Sequence, residues 1–167
     1  MVHGAKALMG VFATIDYLVP LVLDDLTNDE ARARSRGSEG PSIAWSIGHL
    51  LHHRYVVMNM LGAGRDDPYA AAFGEAGATD GAEYPSVEEL MSAWKAVGGD
   101  YATVWSGVTE EALDAPVEGV HDEHTLREKL AFFAFHEGSH LGAIGAMRKA
   151  MGHPGPAERI RAMAESR

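Results

Sequence analysis

Hydrophobic residues recur every three to four positions in four long stretches of the chain, at about 5–26, 42–61, 86–106 and 125–151. This spacing places the hydrophobic side chains on one face of an α-helix. The second stretch is apolar on most of its sides, a pattern typical of a central, buried helix. Four such helices in a chain of 167 residues predict an all-α fold, a four-helix bundle.

Polar motifs at the starts of these stretches support the helix boundaries. Ser86 with Glu89, and Thr125 with Glu128, have the spacing of a capping box, in which two side chains satisfy backbone N–H groups at the start of a helix. Ser42 stands where an N-cap is expected, and glycines follow the second and fourth stretches. We therefore expect three of the four helices to begin at these caps.

The segments between the helices predict smaller features. Pro20 lies inside the first apolar pattern and should kink or locally unwind that helix. Residues 27–30 have capping-box spacing and predict a short helical turn, and residues 156–164 predict a short extra C-terminal helix. No strand or domain boundary is evident, so residues 1–167 are predicted to form a single domain.

The connection over residues 62–85 is unusually long. It is rich in Gly, Ala and Asp, has no clear period, and exceeds the roughly 2–8 residues that join antiparallel helices of a bundle. A connection of this length can cross the full length of a helix. It therefore allows the second and third helices to run parallel.

Composition and charge exclude several function classes. The chain has no cysteine, which excludes disulfides, thiolate metal sites and cysteine nucleophiles and fits a cytoplasmic location. It shows no signal-peptide pattern and no run of about 18 apolar residues, so no membrane segment is expected. The formal net charge is −10 and the only dense basic run is Arg32, Arg34 and Arg36, so nucleic-acid binding is not expected either.

The strongest candidate for chemistry is a pair of histidines. His136 and His140 lie four residues apart, so they stack on one face of the fourth helix and can hold one ion. The spacing alone is weak evidence, because nine histidines in this chain give roughly 0.5 such pairs by chance. Buried imidazoles need hydrogen-bond partners or a metal, so we interpret the pair as metal ligands. Apolar residues near them on the helix are Phe132, Phe133, Ala143, Met147 and Met151.

A third ligand must come from another helix. His49, His52 and His53 all lie on one broad side of the second helix, so the periodicity does not choose among them. The two that are not ligands would be outer partners of the site or solvated side chains. His121 and His124 lie on the connection before the fourth helix and are predicted to be surface residues.

Several segments resemble the DinB-like superfamily. Pro-Ser-Ile-Ala-Trp-Ser-Ile-Gly-His-Leu at 41–50 resembles its second-helix motif. Thr-Leu-Arg-Glu at 125–128 and His-Glu-Gly-Ser-His-Leu-Gly-Ala-Ile at 136–144 resemble its last-helix motif, and residues 85–113 are also similar. The resemblance covers nearly the whole chain. Ala143 is a departure, because the family often has Gln at that position.

The resemblance implies a fold and a site. It implies an up-down-down-up four-helix bundle, frequent homodimers and three histidine ligands. Carried over to this chain, the ligands are His49, His136 and His140. The metal would be one divalent transition ion, with Zn, Ni and Fe as the leading candidates.

The resemblance also implies an activity. The family includes thiol-dependent enzymes, such as bacillithiol transferases and relatives of mycothiol-dependent maleylpyruvate isomerase. We therefore expect a metal-dependent enzyme of the thiol-transferase type that acts on a small molecule. Because the chain has no thiol, the sulfur would come from a low-molecular-weight thiol cofactor. His52, His53 or Glu137 could orient a group or move a proton.

Two alternatives stay open. His136-Glu137-x-x-His140 matches the zinc-protease motif, in which the Glu is the general base, although those proteases pair this helix with a sheet. The other alternative is a non-enzymatic, metal-stabilised helical dimer that acts as a binding or stress-response module. An ion with an open position beside a pocket favours an enzyme, and a closed coordination shell favours a structural role.

Overall fold

The computed structural model describes residues 4–74, 77–79, 84–117 and 124–165. Four long helices dominate this part of the chain, as the hydrophobic pattern predicts. Shorter helices and a minimal β-ladder lie in the connections. In chain order the elements are α1 (Gly4–Leu23), α2 (Asn28–Arg32), α3 (Ile43–Met60), α4 (Ala70–Phe73), α5 (Val87–Ser106), α6 (Glu110–Leu113), β1 (Pro116–Val117), β2 (His124–Thr125), α7 (Leu126–Ala150) and α8 (Pro156–Glu165).

The predicted caps are confirmed. Ser42 caps α3 by accepting the N–H of Trp45 at 3.0 Å. Complete capping boxes open α2, α5 and α7. Each satisfies backbone N–H groups that a helix start leaves without partners. Helix α1 continues through Pro20 to Leu23, so the helix does not unwind there, and the other predicted effect, a kink, stays a prediction.

Each long helix packs against two others. Helix α1 contacts α5 and α7, and α3 contacts the same two from the opposite side of the bundle. The diagonal partners are therefore α1 with α3, and α5 with α7. The buried hydrophobic side chains of all four helices form one continuous core.

Contacts near the helix ends give the directions of α1 and α7. Arg148, near the end of α7, donates to the carbonyl of Val22 near the end of α1 at 2.7 Å. Arg127, near the start of α7, lies beside Gly4 at the start of α1. Helices α1 and α7 are therefore parallel.

The other two long helices run the opposite way. In α3, Trp45 faces His140 of α7, whereas His53, two turns later, faces the earlier residue Phe133. Helix α5 is antiparallel to α1, because Phe12 contacts the late residue Trp105, whereas Asp16, one turn later in α1, lies beside the earlier residue Gly98. The topology is up-down-down-up, with α3 and α5 parallel, as the long connection allows.

Two details correct or qualify the sequence analysis. Strands β1 and β2 pair in an antiparallel ladder of two residues each, although no strand was predicted. So short a ladder carries no hydrophobic alternation that a sequence pattern could reveal. Helix α1 is, within the described residues, the one helix long and apolar enough to cross a membrane, a test that core helices of bundles also pass.

Candidate metal centre

Three histidines predicted as ligands converge between α3 and α7. One ring nitrogen each from His49, His136 and His140 lies within 4.8 Å of the other two. The Nε2 atoms of His49 and His136 are 3.3 Å apart. Tetrahedral Zn²⁺ with bonds of about 2.0–2.1 Å holds its ligand nitrogens roughly 3.4 Å apart. The donor set and spacing therefore fit one transition-metal ion.

The local environment keeps these imidazoles neutral. Burial lowers the pKa of His49 and of His136, and it lowers the pKa of His140 to about 4. Neighbouring imidazoles of the cluster lower the pKa values of His136 and His140 further. A histidine must be neutral to offer a lone pair to a metal. At neutral pH each of these imidazoles therefore has one unprotonated ring nitrogen.

The tautomer of His49 is set by the backbone. Its Nδ1–H donates to the carbonyl oxygen of Phe73 at 2.7 Å. Its Nε2 therefore carries the lone pair, and this is the atom that faces α7. The indole of Trp45 stacks on the same imidazole, with ring centroids 4.7 Å apart and an angle of 13°. A hydrogen bond to the second ring nitrogen is the usual way in which proteins orient a metal-binding histidine.

A fourth imidazole adjoins the cluster. The Nε2 of His53 lies 3.0 Å from Nε2 of His49, and its ring centroid is 4.5 Å from that of His136. Burial and the surrounding imidazoles lower the pKa of His53 to about 3. Its Nδ1 is buried and has no hydrogen-bond partner within the described residues. The i, i+4 spacing with His49 was the sequence signal for this contact.

His52 points to a different partner. Its Nδ1 lies 2.6 Å from Oδ2 of Asp67, in the connection after α3. The other carboxylate oxygen of Asp67 accepts the N–H of Tyr69 at 2.8 Å, just before α4. His52 therefore ties the connection to α3, while its ring lies beside that of His53, with centroids 5.1 Å apart.

Glu137 is placed away from the cluster. Its side chain is fully buried, and its two oxygens accept from Nε and Nη2 of Arg54 at 2.6 and 2.7 Å. Burial raises the pKa of Glu137, and Arg54 opposes that shift by charge and hydrogen bonding. The general-base role that the zinc-protease motif suggested is therefore not supported, because the carboxylate is already bound to a guanidinium.

The remaining predicted features have mixed outcomes. The apolar surroundings expected for the pair on α7 are incomplete, because Phe133 is buried but Phe132 is 56% exposed. Phe132 stacks on the outer side of His136, with ring centroids 6.0 Å apart. The cluster thus lies near the edge of the bundle, between Trp45 and Phe132. His121 lies outside the described residues, and so does the side chain of His124.

Comparison with known proteins identifies the family of this chain. The family model of the DinB superfamily matches residues 13–144. The chain belongs to the DinB superfamily. No curated protein matches it. The match spans α3 and most of α7, and so includes all three histidines of the candidate site.

Two solved structures show the same fold. A DinB-like protein from Bacillus cereus is 13% identical, with a TM-score of 0.68 over 88% of this chain and 92% of its own. YfiT from Bacillus subtilis is 12% identical, with a TM-score of 0.70 over 89% of this chain and 88% of its own. YfiT is described as a probable metal-dependent hydrolase with an unusual four-helix bundle topology. At 12–13% identity, these likenesses show that the chain shares the fold of the two proteins.

Proposed function

We propose that this protein binds one divalent transition-metal ion through His49, His136 and His140 and acts as a metal-dependent enzyme on a small molecule. The observation that carries the proposal is the 3.3 Å approach of two Nε2 atoms from different helices, with a third imidazole in reach. Neutral imidazoles that converge in this way suit Zn, Ni or Fe. The description of YfiT as a probable metal-dependent hydrolase supports metal-dependent chemistry on this fold.

The reaction that we favour is thiol transfer. A divalent ion held by three imidazoles has open positions and lowers the pKa of a bound water or thiol. The chain contains no cysteine, so the reacting sulfur belongs to a low-molecular-weight thiol. Trp45 and Phe132 flank the cluster and offer apolar contacts to the carbon skeleton of a substrate. A cytoplasmic homodimer is part of the same proposal.

Hydrolysis is the second candidate activity. It is favoured by the description of YfiT and needs only a bound water instead of a bound thiol. Glu137 does not serve as its general base, because Arg54 occupies both oxygens. A hydrolytic mechanism on this chain would rely on the ion and the imidazoles.

A non-enzymatic role is favoured by one observation. His53 brings a fourth imidazole to within 3.0 Å of the ligand nitrogen of His49. Four imidazoles around one ion would close a tetrahedral shell, which is typical of structural sites. The number of histidines that bind the ion therefore separates an enzyme from a metal-stabilised module.

Elemental analysis of untagged protein tests the metal site first. We expect about one transition-metal ion per chain in the wild type and its loss in His49→Ala, His136→Ala and His140→Ala. His121→Ala is the control and should keep the metal. Full metal retention in His136→Ala would overturn the site, and so would a wild type that takes up no metal after reconstitution.

Co²⁺ substitution then tests whether the shell is open. In an enzyme, His53→Ala keeps stoichiometric Co²⁺, and an added small thiol changes the visible Co²⁺ spectrum of the wild type. Loss of Co²⁺ in His53→Ala, with no response to thiols, would instead support the structural site. A screen of thiols with electrophilic substrates, and of simple hydrolase substrates, separates the two activities.

A further inference from the structure

The connection between α3 and α5 reaches back to the candidate site at a single backbone atom. The carbonyl oxygen of Phe73, the last residue of α4, accepts the Nδ1–H of His49 at 2.7 Å. This carbonyl lies 24 residues along the chain from the histidine that it orients. Its position therefore depends on how α4 is held against α3.

Gly48 makes that position possible. Phe73 is buried, and its ring occupies the space that a side chain at position 48 would need. A Cβ placed on Gly48 would lie 2.5 Å from Cζ of the Phe73 ring, a distance that real Cβ atoms essentially never show. A glycine inside a helix costs roughly 1 kcal/mol relative to alanine. The close approach of Phe73 is a physical reason for a glycine next to a ligand.

Further contacts hold α4 in place. The 2.6 Å contact between His52 and Asp67 fastens the start of the connection to α3. The N–H of Phe73 donates to the carbonyl of Tyr69 at 2.9 Å, and its ring packs on Tyr84 with centroids 5.4 Å apart. Contacts made by residues before and after Phe73 in the chain therefore hold its carbonyl group in place.

We infer that residues 61–74 form a positioning clamp for the ligand His49, in which Gly48 admits Phe73 and the carbonyl of Phe73 holds the ligand in its Nδ1–H tautomer. This inference rests on the proposed metal site. It assigns functions to Gly48, Phe73 and the His52–Asp67 contact. Outer partners of metal-binding histidines typically contribute 10- to 100-fold to metal affinity.

The test is the Zn²⁺ affinity of Gly48→Ala, measured in competition with a chelator of known affinity. We expect a 10- to 100-fold loss, because the new methyl group displaces Phe73 and its carbonyl. Gly138→Ala is the matched control. Gly138 also lies in a long helix, two residues from both His136 and His140, but a Cβ there meets nothing within 4 Å. Equal affinities of Gly48→Ala and wild type would overturn the inference.

A double-mutant cycle separates the clamp from general destabilisation. Phe73→Ala removes the ring that Gly48→Ala would strike, so Gly48→Ala should cost little further affinity in that background. Full additivity of the two losses would contradict the clamp. Circular dichroism and melting of the metal-free variants show whether each is folded.

Nitrogen NMR of the metal-free protein tests the hydrogen bond between His49 and the carbonyl of Phe73 directly. The wild type and Gly138→Ala should show His49 as the Nδ1–H tautomer, and Gly48→Ala should lose this preference. A wild type with His49 in the Nε2–H tautomer would overturn the clamp. A wild type with the expected tautomer that binds no Zn²⁺ would overturn the proposed function and leave the hydrogen bond to Phe73 intact.

Discussion

Two polar regions lie side by side between α3 and α7, and they differ in almost every physical property. The imidazole cluster includes His53 and His136, and the ion pair joins the next residues along the chain, Arg54 and Glu137. The imidazoles are half buried and neutral, and their nitrogens face one another. The ion pair is fully buried and its charges are matched. Arg54 also contacts Asp16 and lies over the rings of Phe12, Trp94 and Tyr101.

The difference shows which polar groups are available for binding. Arg54 and Glu137 already satisfy each other through two short hydrogen bonds, so the pair has little capacity for a ligand. The cluster instead brings together neutral imidazoles, each of which has one unprotonated ring nitrogen that can bind a cation. On both helices, therefore, one residue belongs to the candidate binding site and the next residue along the chain belongs to a structural ion pair.

Breaking the ion pair should have the largest effect. Glu137→Leu leaves Arg54 buried with only the partly exposed Asp16 as counter-charge. We expect the free energy of unfolding of the metal-free protein to fall by about 3–5 kcal/mol, because one partner of a buried pair is removed. Urea denaturation measures this loss.

The ion pair has a matched control at the surface. Glu158→Gln breaks the exposed pair between Glu158 and Lys149 and should change the stability little. Glu137→Leu should also keep its metal where it is folded, because Glu137 does not touch the cluster. A catalytic or ligating role of Glu137 would show instead as lost metal with unchanged stability.

Metal binding should have the next largest effect. Added Zn²⁺ at about 100 times its dissociation constant should stabilise the folded wild type by about 2.7 kcal/mol, because it binds the folded state. His136→Ala should show no such gain. Urea denaturation with and without Zn²⁺ gives both values, and equal stabilisation of the two proteins would contradict the ligand assignment.

Acid should destabilise the metal-free protein through the cluster. The pKa of His140 falls from its ordinary 6.5 to about 4 on folding, so the unfolded chain binds more protons between these values. Stability should therefore decrease as the pH falls from about 6.5 towards 4. The effect is smaller than that of the metal because the imidazole is only part buried.

The variant His140→Gln isolates this contribution. Other titrating groups are common to it and the wild type, so the difference between their stability curves reports the imidazole of His140 together with its effect on His53. The wild type should lose more stability than His140→Gln between pH 6.5 and pH 5. Parallel curves would show that the pKa of His140 is not lowered in the folded protein.

The sequence predicted the fold well because its signals are local. Capping residues and glycines mark the ends of α3, α5 and α7, and apolar spacing identifies the long helices. The pairing of Arg54 with Glu137 joins residues 83 positions apart, and no pattern within either helix reports it.

The candidate site was only partly predictable. The i, i+4 spacing brought His136 and His140 together, but periodicity did not choose among the three histidines of α3, and the family resemblance supplied His49. The role of the Phe73 carbonyl has no side-chain signal in the sequence. Gly48 inside a helix was the available hint, since such a glycine often marks a close approach.

Substitutions of three consecutive residues of α7 test the difference between the two polar regions most directly. The third substitution should have the smallest effect on stability and metal binding. Gly138 follows His136 and Glu137, and a Cβ on it would meet nothing within 4 Å. Gly138→Ala should therefore raise the stability by up to about 1 kcal/mol, because alanine is the better helix former, and leave Zn²⁺ affinity unchanged. His136→Ala should instead abolish metal binding, and Glu137→Leu should lower stability with the metal retained. Urea denaturation and Zn²⁺ competition on all three variants test these expectations. A loss of stability or of Zn²⁺ affinity in Gly138→Ala would contradict them, because the new side chain would then face one of the two polar regions.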